Sequence, residues 1–181
     1  MIFLRELKET DAELMLEWMH DSEVQKGFRK NMLAATLEDA KSFCRKSKIP
    51  DKVSQGESLH FAISDENDEY LGTISLKNID LESMTAEYAI TTRRRVSGQG
   101  IGFMATGMIL NKAFKDYGLH RVYLSVLEDN ESAIKLYEKC GFKFEGEFRE
   151  HIKKGDNYMN WKWYGILEDE YNEHIFGGVT R

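Results

Sequence analysis

Residues 95–102 read Arg-Val-Ser-Gly-Gln-Gly-Ile-Gly, and a second motif, Asn-Glu-Ser-Ala-Ile-Lys-Leu-Tyr-Glu-Lys-Cys-Gly-Phe, spans residues 130–142. The first stretch lies between a predicted strand and a predicted helix, where unpaired amides and the helix dipole can hold a phosphate. Gly98 and Gly100 let a ligand approach the backbone closely and can adopt positive φ. The stretch therefore predicts a pyrophosphate-binding loop, with a plain surface turn as the alternative.

Two common nucleotide-binding motifs do not fit this loop. A P-loop needs Gly-Lys-Ser/Thr, whereas Gly100 is followed by Ile101 and Gly102. A dinucleotide fingerprint that starts at Gly98 would need a third glycine where Phe103 stands, and a βαβ unit near the amino terminus. ATP and nicotinamide enzymes are therefore disfavoured, and a cradle for the pyrophosphate of another ligand remains.

The period of the apolar residues switches repeatedly between strand and helix. A capping box at Thr10 and Glu13 predicts the start of the first helix. The other predicted helices span 36–46, 103–117 and 131–139, and the predicted strands span 2–7, 58–64, 70–77, 85–92, 120–127, 142–149 and 158–167. This order, β-α-α-β-β-β-α-β-α-β-β, predicts one α/β (α+β) domain over residues 1–181, with a mixed, mostly antiparallel central sheet flanked by helices.

Composition narrows the functional classes. The 181 residues carry a formal net charge of −6, which argues against general nucleic-acid binding and leans slightly toward a cationic partner. Two cysteines are too few for a disulfide framework or a zinc site, so no metal is expected. No apolar run approaches the ~20 residues of a membrane span, and the start of the chain lacks the apolar core of a signal peptide. We expect a cytoplasmic protein.

Together the two motifs resemble the GCN5-related N-acetyltransferases, the GNAT family. The first family motif has the form Arg/Gln-x-x-Gly-x-Gly/Ala, and the second has the form Asn-x-x-Ala-x-x-x-Tyr-x-x-x-Gly-Phe. The matching positions are Arg95, Gly98, Gly100, Asn130, Ala133, Tyr137, Gly141 and Phe142. The segments 16–24 and 145–167 look like the branch that acetylates ribosomal-protein amino termini, which also contains polyamine and nucleotide-amino-sugar acetyltransferases.

The resemblance implies a GNAT fold and acetyl-CoA as co-substrate. In the family, the strand before the glycine loop splays away from its neighbour, its free backbone groups bind the pantetheine arm, and an amide there stabilises the oxyanion. The loop amides would take the pyrophosphate, and the run from Arg93 to Arg95 either adds charge near the phosphates or is a solvated surface. The residues implied in cofactor binding are Tyr88, Ala89, Ile90, Arg95, Ser97, Gly98, Gln99, Gly100, Ile101, Gly102 and Asn130.

The resemblance also implies direct attack of an amine on the thioester. Tyr137 would be the general acid for the leaving thiolate, since a phenol stays protonated at neutral pH; a buried core tyrosine is the alternative. Glu87 is the candidate base, although it can equally face water or position the substrate. His60, Glu82 and a water relay are the other candidates.

The acceptor stays open at this point. A protein amino terminus, a polyamine and the amine of a nucleotide-linked sugar are all compatible with the sequence. A different class of function is a non-catalytic module that keeps the CoA pocket for sensing or assembly, although such a module would not need Tyr137. Exposed sheet edges often pair between chains, so a homodimer is an expectation that the sequence does not decide.

Overall fold

The computed structural model describes residues 1–28 and 31–176. Its helices are α1 (Ala12–Met19), α2 (Ser22–Gln25), α3 (Leu37–Lys46), α4 (Ile101–Asn111) and α5 (Glu131–Lys139). Its strands are β1 (Ile2–Glu6), β2 (Leu59–Asp65), β3 (Tyr70–Asp80), β4 (Thr85–Thr92), β5 (Arg121–Leu127), β6 (Lys143–Lys154) and β7 (Asn157–Leu167). The predicted order of the elements is confirmed, with α2 as an additional short helix that starts at an Asp21 cap.

The strands form one seven-stranded sheet in the order β1-β2-β3-β4-β5-β7-β6. Among the described strands, neighbours pair antiparallel except for β4 and β5, which are parallel. Helix α4 forms the crossover between these two strands, as a parallel connection requires. The mixed, mostly antiparallel sheet of the predicted α/β fold is thus confirmed.

The parallel pair β4–β5 is short. Its register joins residues 85–87 of β4 to residues 121–123 of β5, and the last pair is Glu87 with Tyr123. Past that pair, β4 continues on β3 alone and β5 continues on β7 alone. The two strands therefore part at their carboxyl ends, and the backbone of residues 88–92 borders a gap in the sheet.

Helices cover the two faces of the sheet in different places. On one side, called here the α4 face, helix α4 packs against core residues such as Ile74, Leu76 and Tyr88. On the other side, called the α1 face, helices α1 and α3 pack over Ala62 and Tyr70. Because side chains alternate along a strand, Glu87 and Ala89 point to the α1 face while Tyr88 and Ile90 point to the α4 face.

The expected capping box at Thr10 was wrong. Helix α1 follows a short 3₁₀ turn, Glu9–Asp11, and its N-cap residue is Asp11. The buried Asp11 carboxylate instead accepts hydrogen bonds from both terminal nitrogens of Arg5, at 2.8 Å each. It also accepts one from the backbone N–H of Lys8, at 2.8 Å. The hydrogen bonds between this carboxylate and the Arg5 guanidinium join two charged groups and are therefore stronger than a bond from a side chain to a helix amide. The Arg5–Asp11 pair thus fixes the start of α1.

Two other boundaries differ from expectation. Helix α4 begins at Ile101 rather than at Phe103, directly after Gly100, and continues into a π-helical turn, Lys112–Asp116. Strand β6 runs to Lys154, past the expected end at 149, and joins β7 through a turn at Gly155. The long hairpin reflects the pairing of β6 with β7 along both strands, with register shifts between Phe144 and Gly146 and between Phe148 and Ile152, which a local pattern cannot show. None of the described helices is long and apolar enough to cross a membrane.

The segment after β7 returns to helix α4. Phe176 is buried and packs on Phe103 with ring centroids 4.8 Å apart. Its ring also occupies the space over Gly107, where a Cβ would meet ring atoms at 2.5 Å. The absence of a side chain at Gly107 therefore leaves the space in which the Phe176 ring packs against α4.

We expect Gly107→Ala to lower the free energy of unfolding by about 1–3 kcal/mol, because the added methyl overlaps the Phe176 ring. Alanine is otherwise favoured over glycine in helices by about 1 kcal/mol, so the sign of the change is diagnostic. The measurement is urea unfolding. The control is Gly146→Ala, where the new Cβ has no described atom within 4 Å. A Gly107→Ala protein more stable than the parent would contradict this packing.

Candidate active site

The start of helix α4 is tied to β4 through buried hydroxyl groups. The Tyr88 hydroxyl lies 2.7 Å from Thr106 Oγ1, and Thr106 Oγ1 donates to the Gly102 carbonyl at 2.6 Å. Burial raises the pKa of Tyr88 well above its ordinary value, so its hydroxyl stays protonated and can hydrogen-bond. This link was not predicted from the sequence, because Tyr88 and Thr106 meet only once α4 packs on the sheet. It holds the glycine-rich loop at the gap.

The loop itself has the geometry of an anion cradle. Gly98 and Gly100 both adopt left-handed conformations, with φ of 76° and 77°, and a Cβ at either would meet no described atom within 4 Å. Gly100 is the N-cap of α4 and supplies no side chain, so the first amides of the helix are not capped by a side chain. The backbone is thus open to a ligand where the helix dipole favours negative charge.

The three arginines before the loop have different environments. Arg93 is only 4% exposed, and its guanidinium donates to Glu17 at 2.7 and 2.8 Å and to Glu69 at 2.6 Å. The expectation that Arg93 faces a phosphate was therefore wrong, because it links β4 to α1 and to the β2–β3 turn. Arg94 and Arg95 are exposed beside the loop, and Arg95 forms an ion pair with Glu69.

Tyr137 lies on the α4 face beside the gap. Its ring packs edge-on against Tyr88, with centroids 5.8 Å apart, and against Phe142 at 6.0 Å. Burial raises the pKa of Tyr137 above its ordinary value, which keeps the phenol protonated at neutral pH. Within the described residues no hydrogen bond engages its hydroxyl, and the side chain is 8% exposed. A buried, protonated and unengaged phenol is suited to donate to a ligand.

Asn130 caps helix α5, as its position in the motif predicts. Its Oδ1 accepts from the Ala133 amide at 3.3 Å and from the Ser132 hydroxyl at 3.2 Å. The backbone of Gly27 lies against the Asn130 amide, since a Cβ there would come within 2.6 Å of Nδ2. The loop after α2 therefore reaches the open end of the gap.

Glu87 lies on the opposite side of β4 from Tyr137. One carboxylate oxygen accepts from Lys77 Nζ at 2.8 Å and the other accepts from Asn78 Nδ2 at 3.1 Å. The side chain is 22% exposed, so it is held in place but open to water. In the register of the sheet, Glu87 stands next to Tyr123 at the last pair before the gap.

The other candidate bases lie farther from the gap. His60 Nδ1 is 2.7 Å from Ser75 Oγ on the α1 face, and its ring packs edge-on against Phe43 of α3. Burial, helped by the nearby Lys77, lowers the pKa of His60, so the imidazole is neutral at pH 7. Glu82 is exposed in the β3–β4 turn, before β4 begins, whereas the gap lies at the other end of that strand.

Neither cysteine has the environment of a nucleophile. Cys44 and Cys140 are both buried, and burial raises their pKa values to about 11 and about 12. At neutral pH both are thiols, and an acyl-cysteine intermediate would need a thiolate. Direct transfer to the acceptor therefore agrees with the environment of both cysteines.

Two further features lie away from this site. A cavity of about 670 Å³ is lined mostly by charged residues from β1 to Glu9 and from the end of α3, including Arg5 and Arg45, and its lining does not include the glycine loop. In the part of the chain that the structure describes, no group of three or more His, Cys, Asp or Glu side chains is placed to hold a metal ion.

The parted strands, the open helix start and the phenol beside them are the features of the acetyltransferase fold that the two motifs imply. Residues 2–143 match the family model of the acetyltransferase (GNAT) domain. The chain belongs to the GNAT family and is an N-acetyltransferase.

Named relatives and a solved structure agree with this assignment. The chain is 30% identical over 159 residues to the probable N-acetyltransferase YjcK of Bacillus subtilis, covering 84% of this chain and 86% of that protein. It is 30% identical over 111 residues to a spermidine N(1)-acetyltransferase of Vibrio cholerae, covering 61% and 64%. The fold is similar to a crystal structure of spermidine N-acetyltransferase from Vibrio cholerae in complex with CoA and spermine, with a TM-score of 0.82, 22% identity and coverage of 94% and 97%.

We expect Thr106→Val to lower the free energy of unfolding by about 1–3 kcal/mol, because it leaves the Tyr88 hydroxyl buried without its partner. Thr106→Ser retains the hydroxyl and is the matched control. Urea unfolding measures both. A Thr106→Val protein as stable as the parent would contradict the expected role of the hydroxyl, whereas a loss confined to Thr106→Ser would assign the contact to the methyl group.

Proposed function

We propose that the protein transfers the acetyl group of acetyl-CoA directly to a primary amine within a ternary complex. The observation that carries this proposal is the position of two candidate groups on opposite sides of β4 where it parts from β5. Tyr137 stands on the α4 face and Glu87 on the α1 face. A thioester seated in the gap would have a proton donor on one side and a carboxylate on the other.

The residues around the gap fit the co-substrate. The backbone of Tyr88, Ala89 and Ile90 borders the gap and is available to the pantetheine arm. In the loop from Ser97 to Gly102, the amides of Ser97 and Gln99 donate to the carbonyls of Arg94 and Val96, at 3.0 and 3.4 Å. A pyrophosphate would bind at the amides of Gly98, Gly100, Ile101 and Gly102 around the uncapped start of α4, and Arg95 adds positive charge beside them. Asn130 would contact the same arm while it caps α5.

The proposed reaction needs two proton movements. The amine nitrogen forms a bond to the thioester carbonyl carbon, and the bond from that carbon to sulfur breaks. An amide of β4 at the gap would stabilise the charge on the carbonyl oxygen. Tyr137 donates its proton to the departing thiolate, and Glu87, directly or through a water, accepts the proton that the amine loses.

The acceptor is proposed only as a class. The spermidine acetyltransferases among the relatives support an amine, and the net charge of −6 is compatible with a cationic one. A protein amino terminus, a polyamine and an amino sugar linked to a nucleotide all remain in this class. We also propose a cytoplasmic enzyme, in keeping with its two buried thiols, and leave a homodimer as a prediction.

The first test is thiol release from acetyl-CoA with spermidine, amino-sugar nucleotides and short peptides as acceptors, beside thermal shifts with CoA, acetyl-CoA, NAD and ATP. We expect turnover with one class of amine, and stabilisation by CoA and acetyl-CoA because they bind the native state. Stabilisation by acetyl-CoA with no turnover on any amine would favour the alternative, a non-catalytic CoA-binding module. Absence of both would refute the proposal.

Tyr137→Phe should lower kcat by about 10²-fold or more, because the departing thiolate loses its proton donor, while the Kd for acetyl-CoA stays unchanged. Steady-state kinetics and calorimetry measure the two quantities. Tyr158→Phe, at an exposed tyrosine of the β6–β7 hairpin, is the control. An unchanged kcat in Tyr137→Phe would remove this residue from the chemistry.

A further inference from the structure

A cluster of aromatic rings lies on the α1 face of strands β5, β7 and β6. The rings of Trp161 and Trp163 are 5.1 Å apart, Phe148 lies 5.4 Å from Trp163, and Tyr123 lies 6.1 Å from Trp163. His151 stacks on Trp161 at 5.3 Å with nearly parallel planes. These five residues form a continuous ring surface, called here the aromatic face.

The aromatic face begins at the proposed reaction site. Tyr123 is the register partner of Glu87 at the last β4–β5 pair, and Trp163 is the partner of Ser125, two residues farther along β5. The rings therefore extend from the mouth of the gap along the β5 side. Trp163 lies one ring spacing, 6.1 Å, from Tyr123, and Phe148 lies 5.4 Å from Trp163, so a group that extends from an amine at Glu87 along β5 meets these rings in turn.

Among the described residues, the two sides of Glu87 on the α1 face differ in how far they are covered. On the β3 side of Glu87, helix α3 covers the strands, with Phe43 packed on His60. On the β5 side, Phe148 is 49% exposed, and Tyr123 and both tryptophans are half-buried. The open end is bounded by the loop after α2, where the Lys26 carbonyl accepts from Lys154 of the hairpin and Gly27 lies against Asn130. The aromatic face thus lies on the same side of the sheet as Glu87 and adjoins the gap through Tyr123.

Two of the charged groups beside the aromatic face are held by ion pairs. Arg121, whose guanidinium lies over the Tyr123 ring, is bound by Glu145, and Glu87 is bound by Lys77. The surface that the aromatic face itself offers to a ligand is made of rings. The indole N–H of Trp163 is buried without an acceptor among the described residues. Buried N–H groups usually have a hydrogen-bond acceptor, so a bound molecule could supply the one that is missing here.

We propose that the aromatic face binds the group attached to the acceptor amine, and that this group is planar and uncharged, as in an arylalkylamine. The inference rests on the proposed function and specifies the acceptor class of the same site. Trp163 and Phe148 are its specificity-determining residues: stacking on their rings holds the aryl group while the amine reaches Glu87 and the thioester. A second ammonium group would have to give up part of its hydration against these rings, which a flat apolar group does not.

The experiment compares three primary amines of similar reach in the thiol-release assay: 2-phenylethylamine, butylamine and 1,4-diaminobutane. We expect kcat/KM for 2-phenylethylamine to exceed the value for 1,4-diaminobutane at least tenfold, with butylamine between them. Phe148→Leu and Trp163→Leu should reduce that preference to within about twofold while leaving KM for acetyl-CoA unchanged.

Phe144→Leu is the matched control. Phe144 is on the same strand, is 56% exposed, and packs on Tyr164 on the opposite face, so its loss should leave the preference intact. Thermal unfolding is followed for all variants, and Trp163→Phe, which keeps a ring, should retain most of the preference if the Leu variant proves unstable.

Equal or better use of 1,4-diaminobutane by the parent enzyme overturns the inference while leaving the proposed function standing. So does an equal loss of preference in Phe144→Leu, or turnover of other amines but none of these three. Absence of turnover with every amine, and of any acetyl-CoA stabilisation, is instead the failure of the proposed function, and this inference fails with it.

Discussion

The parting of β4 from β5 is the constraint on which the rest of the structure depends. Two parallel strands pair over three residue positions and then continue on different neighbours. A sheet interrupted in this way leaves backbone groups unpaired at the carboxyl ends of parallel strands, which is where ligands bind in open α/β sheets. The same break places the two faces of β4 in contact with one opening, so that groups on both sides of the sheet can serve one substrate.

Helix α4 fixes the position of the loop beside that opening. The hydroxyls of Tyr88 and Thr106 tie β4 to the first turn of the helix, and that turn carries the glycine-rich loop. The ring of Tyr88 also supports Tyr137. One buried tyrosine thus positions both the anion cradle and the candidate acid, and the left-handed Gly98 and Gly100 let the chain turn into the helix without covering its amides.

The sequence predicted much of this site but not its surroundings. The motifs at residues 95–102 and 130–142 indicated the loop, the Asn130 cap and Tyr137, because these features depend on residue type at close spacing. Arg93 was misassigned because its partners, Glu17 and Glu69, are distant in the chain. The aromatic face was not predicted, for the same reason. The alternation of Met159, Trp161 and Trp163 indicates a strand, but it does not show which rings of other strands the two tryptophans contact.

By itself the sequence determined the order of elements, the family, and the identity of the loop and motif residues, since periodicity, glycine conformation and helix capping act over a few positions. Only the tertiary structure decided that Glu87 and Tyr137 stand on opposite faces of β4, that Asp11 pairs with Arg5 at the start of α1 where a Thr10–Glu13 capping box was expected, and that five rings from three strands form one surface. These outcomes depend on strand register and on burial of charge, and both are properties of residues brought together from distant parts of the chain.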